Sequence, residues 1–455
     1  MTTAVVLGGG FAGVLAAYVL AGHVDDVTIV ESGRYPARPG PRPGLPQAHH
    51  NHVLVTGGAR ALDALVPGTV AALLAAGAHR RGLTGDALIR GADGWFHRHH
   101  TDAYVISCSR WLTDDVVRRR VLAHAAVRVR EGTRVRGLTG NADQVTGVAV
   151  TGPHGTGTIP ADLVVDATGR RSQAPRWLAA LGGPPVREET VDSGLAYSTR
   201  VYRAPPGLGT GLPAIMLHPR TEQGREGHGA TLFPIEGDRW IVTLTGTRGN
   251  RPPVTAPEFT SCAYALGSPI IAELLADAEP LGDVRPYRVT ANRRRYFEHH
   301  PGPAGFMVLG DALATTNPVY SHGMSVAALG ARALQRALAR HGPGPAHSAE
   351  LQAAVASEVD TPWRMAVGKD RGDAGAAPVP APLRLRLGRC MLGDRTLLTG
   401  LFGAQTLIAP ESAVGKAARQ ALAEPPPALL STDDAIAQYP RLHDWWRSAP
   451  VRSTT

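Results

Sequence analysis

Cysteine is nearly missing from this 455-residue chain: Cys108, Cys262 and Cys390 are the full complement, far apart and odd in number. That argues against a disulfide framework and a cysteine-based metal site, and fits a reducing compartment. Aromatic residues make up only 5% and charged residues 19%. No stretch reaches the roughly 18 uninterrupted apolar residues of a membrane span. The apolar N-terminus lacks the basic segment that opens a secretion signal. We therefore expect a cytoplasmic protein with no membrane span. A basic tail is also missing, although the net charge is +9. The basic residues are mostly arginines scattered along the chain, and the short clusters Arg118–Arg120 and Arg293–Arg295 lie among apolar neighbours. Without aromatic–basic interleaving, nucleic acid is not an expected partner. The length makes two or three domains the expectation.

What is present begins at residue 4. Ala4-Val5-Val6-Leu7 reads as a strand, Gly8-Gly9-Gly10-Phe11-Ala12-Gly13 as a turn opening an apolar helix over roughly 11–20, and Val27-Thr28-Ile29-Val30-Glu31 as a second strand ending in an acid. Gly8 permits the tight turn, and Gly10 lets backbone N–H groups approach a pyrophosphate. Gly13 lets the helix pack close to the sheet, so that the helix N-terminus faces phosphate charge. Glu31, 18 residues after Gly13 and followed by Ser32, stands where a carboxylate accepts hydrogen bonds from a ribose.

Beyond this unit a Pro/Gly-rich loop, 36–46, precedes an expected helix over 53–65 and an Ala-rich helical stretch over 69–84. A strand is expected over 89–96 and a helix over 112–125, with Arg118–Arg120 mostly outward. Strands are expected over 126–138 and 145–150, and a short buried one over 163–166. Between 193 and 290 the character changes to strand-like runs with Gly and Pro punctuation, at 195–202, 229–234 and 240–245, which predicts an antiparallel sheet. The buried-strand pattern returns at Phe306-Met307-Val308-Leu309, followed by a helix over 324–340. The expected fold is α/β: a Rossmann-like nucleotide domain in three pieces (1–68, 101–185, 291–345), an inserted antiparallel β-sheet substrate domain (69–100 and 186–290), and a C-terminal helical region (346–455) with Pro-rich linkers at Pro378–Pro382 and Pro425–Pro427.

Three further segments narrow a dinucleotide to FAD. In Gly305–Ala312 a strand ends in Gly310-Asp311, which puts a carboxylate where it accepts from a ribityl hydroxyl. After Asn317-Pro318, Gly323-Met324 opens a long helix whose amides can face the electron-rich O2 edge of an isoalloxazine. In Ala161–Arg170 a strand returns to the nucleotide, and Gly169 allows backbone approach to the ADP portion. In Ser109-Arg110-Trp111-Leu112, at a helix start, the Arg110 guanidinium can reach phosphate or ribityl oxygens.

Together these segments resemble the group A flavoprotein monooxygenases, built like para-hydroxybenzoate hydroxylase, over roughly residues 4–370. Within that group the chain is most similar to squalene epoxidase-like bacterial enzymes, including polyether epoxidases. This nearer likeness rests on Arg42-Pro43-Gly44-Leu45-Pro46-Gln47 with His50 and His52, Leu65-Val66-Pro67-Gly68, Ser109-Arg110, Asp166–Arg170, Phe233-Pro234 before Trp240, Asn292 with Arg295-Tyr296, and Asn317–Met324. The resemblance implies FAD contacts at Gly8, Gly10, Phe11, Ala12, Gly13, Glu31, Ser32, Arg42, Arg110, Val135 (adenine, through its backbone), Gly169, Asp311, Pro318, Gly323 and Met324. It implies insertion of one atom of O₂ through a flavin C4a-hydroperoxide, with a lipophilic polyketide or terpenoid alkene of secondary metabolism as substrate and an epoxide as product. An aromatic hydroxylase and a flavin-dependent reductase of isoprenoid double bonds are the alternatives. Thr168-Gly169 stands where aromatic hydroxylases of this fold have Asp-Gly, so electrons from NAD(P)H are expected to arrive indirectly, through a separate flavin reductase, or by a weak direct contact.

The flavin carries the hard chemistry, so no catalytic side chain is expected. An apolar pocket walled by the inserted sheet, with Phe233 and Trp240, would suit a lipophilic alkene. His49, His50 and His52 have no acid or cysteine beside them, so no metal site is expected, and one of them is a candidate for a polar contact near the flavin. Asp114 and Asp115, in the first turn of a helix, read as partners of the helix dipole. No Ser/His/Asp set has the context of a hydrolase.

Overall fold

The computed structural model describes residues 1–42, 44–153, 155–219, 221–222, 225–247, 249–299, 302–371 and 380–448. Pro43, His300 and the first two residues of the Pro378–Pro382 linker fall outside that set.

The N-terminal apolar run forms the middle strand, Thr3–Leu7, of a five-stranded parallel sheet. Its neighbours are Asp26–Val30 and Leu163–Asp166. Val127–Arg130 lies at one edge and Phe306–Val308 at the other. Near-continuous Val, Ile and Leu in these strands is what a sheet covered on both faces requires. The covering helices are Phe11–Ala21, Arg110–Leu122 and Gly323–His341, which pack with the sheet into one apolar core.

A six-stranded sheet forms the second layer. Its order is Glu279–Tyr287, Ala196–Arg203, Arg239–Gly246, Gly229–Ile235, Ala214–Leu217 and Ala87–Arg90, antiparallel except for the last pair. One face carries Tyr202, Trp240, Val242 and Leu244 against the helices Ala256–Tyr264 and Ile270–Ala276 and the C-terminal Ile436, Tyr439 and Leu442. The other carries Phe233, Ile235 and Ile241 against Val53, Val55, Leu398 and Phe402. Strand periodicity of two assigns the faces, because each residue opposes its neighbour in direction.

Several local expectations change. Val53–Val55 is a strand and the helix starts at Thr56, because this β-branched segment pairs with Tyr104–Ser107. The Ala-rich helix stops at Ala75. Gly77 takes φ +100°, and His79–Gly82 leaves as a strand on the other side of Tyr104–Ser107. The expected strand over 89–96 is Ala87–Arg90, folded back so that Arg90 bridges Trp95. The strand expected over 126–138 is split by Gly132 at φ +63° into an edge of the parallel sheet and a separate strand, Arg134–Gly140. Glu279–Tyr287, rich in charge and proline, is a strand whose pattern had not marked it as one. Among the described residues no single helix is long and apolar enough to cross a membrane.

Candidate nucleotide and substrate site

The glycine turn is held from three sides. Gly8 adopts φ +90°, and a Cβ there would lie 2.8 Å from the Ala167 carbonyl oxygen. A Cβ on Gly13 would lie within collision distance of the Gly8 carbonyl, so only glycine lets the helix sit this close. The Leu309 amide donates to the Asp166 carbonyl at 2.9 Å, and Gly310, at φ +66°, packs on Ala12. The turn, the returning strand end at Gly169 and the Gly-Asp segment therefore meet at one place. Beside the turn a small cleft lies between Gly9, Gly10, Phe11 and Val14 on one side and Tyr35, Arg42, Asp114, Val117 and Arg118 on the other.

Glu31 is buried and accepts from the Gly9 amide at 2.8 Å and the Gly33 amide at 2.7 Å, with Arg42 at 3.5 Å; exposed Ser32 leans on it at 3.4 Å. The carboxylate thus braces the turn from behind Gly9. The segment leading to Val135 runs beside it, since the Thr133 amide donates to the Glu31 carbonyl at 2.9 Å and Gly132 to Gly33 at 2.9 Å. Arg110 is pinned by Asp114 at 2.9 Å, with its guanidinium 5.4 Å from the Phe11 ring centre. Asp114 and Asp115 act as ion-pair partners, Asp115 holding Arg118 at 2.5 Å and Arg119 at 2.9 Å. Arg118 is buried, contrary to the outward orientation expected for its cluster, because Asp115 neutralises it.

The half-buried Asp311 carboxylate has Arg110, Arg170 and Arg293 as charged neighbours and accepts no hydrogen bond among the described residues. Loss of water raises its pKa above the ordinary carboxylate value, and Arg110, Arg170 and Arg293 oppose the rise. Gly323 lies in front of it, with a Cβ position 3.8 Å from Asp311 Oδ1 and otherwise open, and Met324 is buried behind. Gly169, at φ +79°, has nothing within 4 Å of its Cβ position. Pro318 opens a turn capped by Asn317, whose side-chain oxygen accepts from the Val319 amide at 3.2 Å.

That same Asn317 joins the nucleotide layer to the sheet. Tyr197 donates its hydroxyl to Asn317 Oδ1 at 3.0 Å. Asp370 accepts from Asn292 Nδ2 at 2.6 Å, Asn317 Nδ2 at 3.1 Å and the Tyr320 hydroxyl at 2.6 Å. Above this network Tyr197 stacks on Tyr287 at 6.4 Å, His50 leans on Tyr287 at 5.1 Å, and His50 Nδ1 meets Thr199 Oγ1 at 2.9 Å. Thr199 in turn meets Thr243 at 2.8 Å. Burial, aided by neighbouring His52 and His49, pushes His50 down to about 3; burial and then Arg110 push His52 down to about 4. Both imidazoles are neutral near pH 7. Sequence alone had not marked Tyr197, Thr199, Thr243 or Asp370. Alternation along the strand put Tyr197 and Thr199 on one face, but nothing local marks Asp370, in the last turn of helix Ser348–Arg371.

Phe233 and Trp240 do not wall one pocket. Phe233 opposes Ile241 and Trp240 opposes Pro234, so the two point to opposite faces. Trp240 is fully enclosed in the core on the far side from His50.

A family model described as an FAD binding domain matches residues 1–367. The chain belongs to this FAD binding domain family. It is 33% identical over 396 residues to Protein Rv3254 of Mycobacterium tuberculosis, covering 83% of this chain and 82% of that one. Its fold resembles p-nitrophenol 4-monooxygenase PnpA from Pseudomonas putida DLL-E4, with TM-score 0.62, 17% identity and 93% and 98% of the two chains covered. It also resembles the flavin-dependent brominase Bmp2, with TM-score 0.60, 16% identity and 98% of each chain covered. The residues present fit an FAD. The amides at the start of helix Phe11–Ala21 border the cleft, Asp311 lacks a donor, and the Gly169 and Gly323 backbones are uncovered where the dinucleotide requires close approach.

Proposed function

We propose that this member of the FAD binding domain family is an FAD-dependent monooxygenase that transfers one oxygen atom from O₂ to an electron-rich carbon–carbon double bond of a lipophilic substrate, giving an epoxide. Gly8 to Gly13, Glu31, Arg42, Arg110, Val135, Gly169, Asp311, Pro318, Gly323 and Met324 hold the cofactor, which, once reduced, supplies the activation of dioxygen. The observation that carries the reading is the Tyr197–Asn317 bond. It ties the sheet to the segment that precedes helix Gly323–His341, so that a substrate held beside His50, Tyr197 and Tyr287 would lie over that segment. Half-buried Val201 and Met216 pack against the Phe233 core and keep this side of the sheet apolar.

Support for an alkene over a phenol comes from His50 and His52. Phenol hydroxylation needs a base that removes the phenolic proton. Imidazoles lowered to about 3 and about 4 by burial are poor bases at neutral pH, whereas an alkene has no proton to lose. Support for indirect reduction by NAD(P)H comes from Thr168. Its amide and hydroxyl both turn inward to Asp166, at 2.8 and 2.6 Å, and the segment offers no outward carboxylate like that of Asp-Gly relatives.

The test supplies full-length flavin-loaded protein with NADH, a separate flavin reductase, ¹⁸O₂ and a panel of terpenoid and polyene alkenes. One labelled oxygen in the product with loss of one alkene is the expected result. A labelled phenol with the alkene intact would move the protein to the hydroxylases. A saturated product formed without oxygen would move it to the reductases.

A further inference from the structure

The cleft over the phosphate turn has a roof that the family-derived contacts do not include. Tyr35 follows Glu31 by four residues, and its ring lies between two guanidiniums, 5.2 Å from Arg42 and 4.7 Å from Arg118. Its hydroxyl donates to the Gly9 carbonyl at 3.0 Å, beside an Arg42 Nη2 that donates to the same oxygen at 3.1 Å. A Cβ on Gly9 would collide with that hydroxyl and lie 3.1 Å from Glu31 Oε2, so Tyr35 sits at the junction of the phosphate turn and the ribose-facing carboxylate.

The backbone carrying Tyr35 is anchored from outside. Its amide donates to Glu131 Oε1 at 2.9 Å, Arg118 donates to the Pro36 carbonyl at 3.3 Å, and Arg119 donates to the Ala37 carbonyl at 2.8 Å. Arg118 and Arg119 are themselves set by Asp115. A guanidinium held over an aromatic face is attracted by the ring's electron-rich face, more strongly where water is excluded. The segment from Arg34 to Arg42 is thus a strap tied at both ends across the cleft.

Resting on the reading of this cleft as an FAD site, we infer that Tyr35 is a cofactor-binding residue that covers the ADP half of the dinucleotide, and that Arg118 and Arg119 position it. Among the described residues the strap's hydrogen bonds and ion pairs go to Gly9, Glu31, Glu131, Arg118 and Arg119 and none goes to Asp311, so its effect belongs to ADP and not to the isoalloxazine. Burial and the adjacent Glu31 raise the Tyr35 pKa, which keeps the hydroxyl a donor across the physiological range.

The experiment uses the full-length flavin-loaded protein. FAD release on dilution is followed by filtration, and the ADP requirement is measured as the half-saturating ADP concentration in a direct titration of the flavin-stripped full-length protein. Tyr35→Ala should speed FAD release about tenfold and raise the ADP requirement by a similar factor. Tyr35→Phe, which keeps the stack and loses only the bond to Gly9, should recover most of both. Arg119→Ala, a change at an exposed position, should speed release a few-fold. Asp311→Ala should weaken FAD and leave the ADP requirement unchanged. Wild-type rates in folded Tyr35→Ala, or slower release, would overturn the inference, the latter by making Tyr35 an obstruction. Failure of the wild-type protein to take up either FAD or ADP would overturn the site reading beneath it as well.

Discussion

The phosphate turn and the six-stranded sheet are built by opposite logics. At the turn, Gly8 to Gly13, Glu31, Tyr35 and Arg42 come from one stretch of 35 residues and bond to one another directly. At the sheet, His50, Tyr197, Thr199, Thr243, Tyr287, Asn317 and Asp370 come from six distant parts of the chain and meet only after the layers dock. The turn carries its charges in pairs around a cleft. The sheet keeps its imidazoles neutral. On the function proposed above, the first arrangement would recognise an anion and the second an apolar molecule.

The largest expected effect separates the two regions by stability. Trp240→Ala removes a fully enclosed side chain from the sheet's far core and should destabilise the protein by about 3–5 kcal/mol. FAD affinity of the folded fraction should not change. Denaturant unfolding alongside flavin titration measures both, and loss of FAD affinity would break the separation.

Next in size are Glu31→Ala and Asp311→Ala. Each removes a charged acceptor and should weaken FAD by about 1–3 kcal/mol. Glu31→Ala should also lower the melting temperature, because two backbone amides at the turn lose their partner. Near wild-type FAD occupancy in both variants would remove the site assignment.

The contrast also decides what the sequence disclosed. The turn was legible because its geometry demands glycine at fixed spacing, and a demand on φ or on close approach is written in residue identity. Leu163–Asp166 and Phe306–Val308 were legible as short, unbroken apolar runs of strands buried on both faces, and the helix from Gly323 to His341 through its helical period. The region between residues 53 and 96 was not. Its short apolar segments fit helix and strand equally, and pairing with the distant Tyr104–Ser107 made strands of Val53–Val55 and His79–Gly82. Phe233 and Trp240 were assigned to one pocket on hydrophobicity alone, although seven residues apart across a hairpin they point to opposite faces. The roles of Asp370 and Arg118 depend on neighbours that no local pattern encodes.

A third prediction concerns pH. Burial places His50 at about 3 in the folded chain against an ordinary value near 6.5, so the unfolded chain takes up a proton first as pH falls. His50 adds no pH dependence above about 6.5. Below that it should destabilise the fold by about 1.4 kcal/mol per pH unit until the folded imidazole itself titrates near 3. His50→Gln should flatten this acid limb of the melting curve, and an unchanged slope would show that His50 is not buried neutral.

The smallest effect is expected at Thr168→Asp. A carboxylate there should raise the rate of direct flavin reduction by NADPH modestly, at some cost in stability as Asp166 loses a donor. Fast, saturable reduction of the wild-type protein by NADPH alone would remove the reason for a separate reductase.

The most direct test of the whole account is the flavin itself. Full-length protein purified from cells and saturated with FAD should be yellow, carry about one FAD per chain, and release all of it into the supernatant on acid precipitation. Protein that takes up no FAD, or flavin that stays in the pellet, would contradict the non-covalent dinucleotide site on which every other conclusion rests.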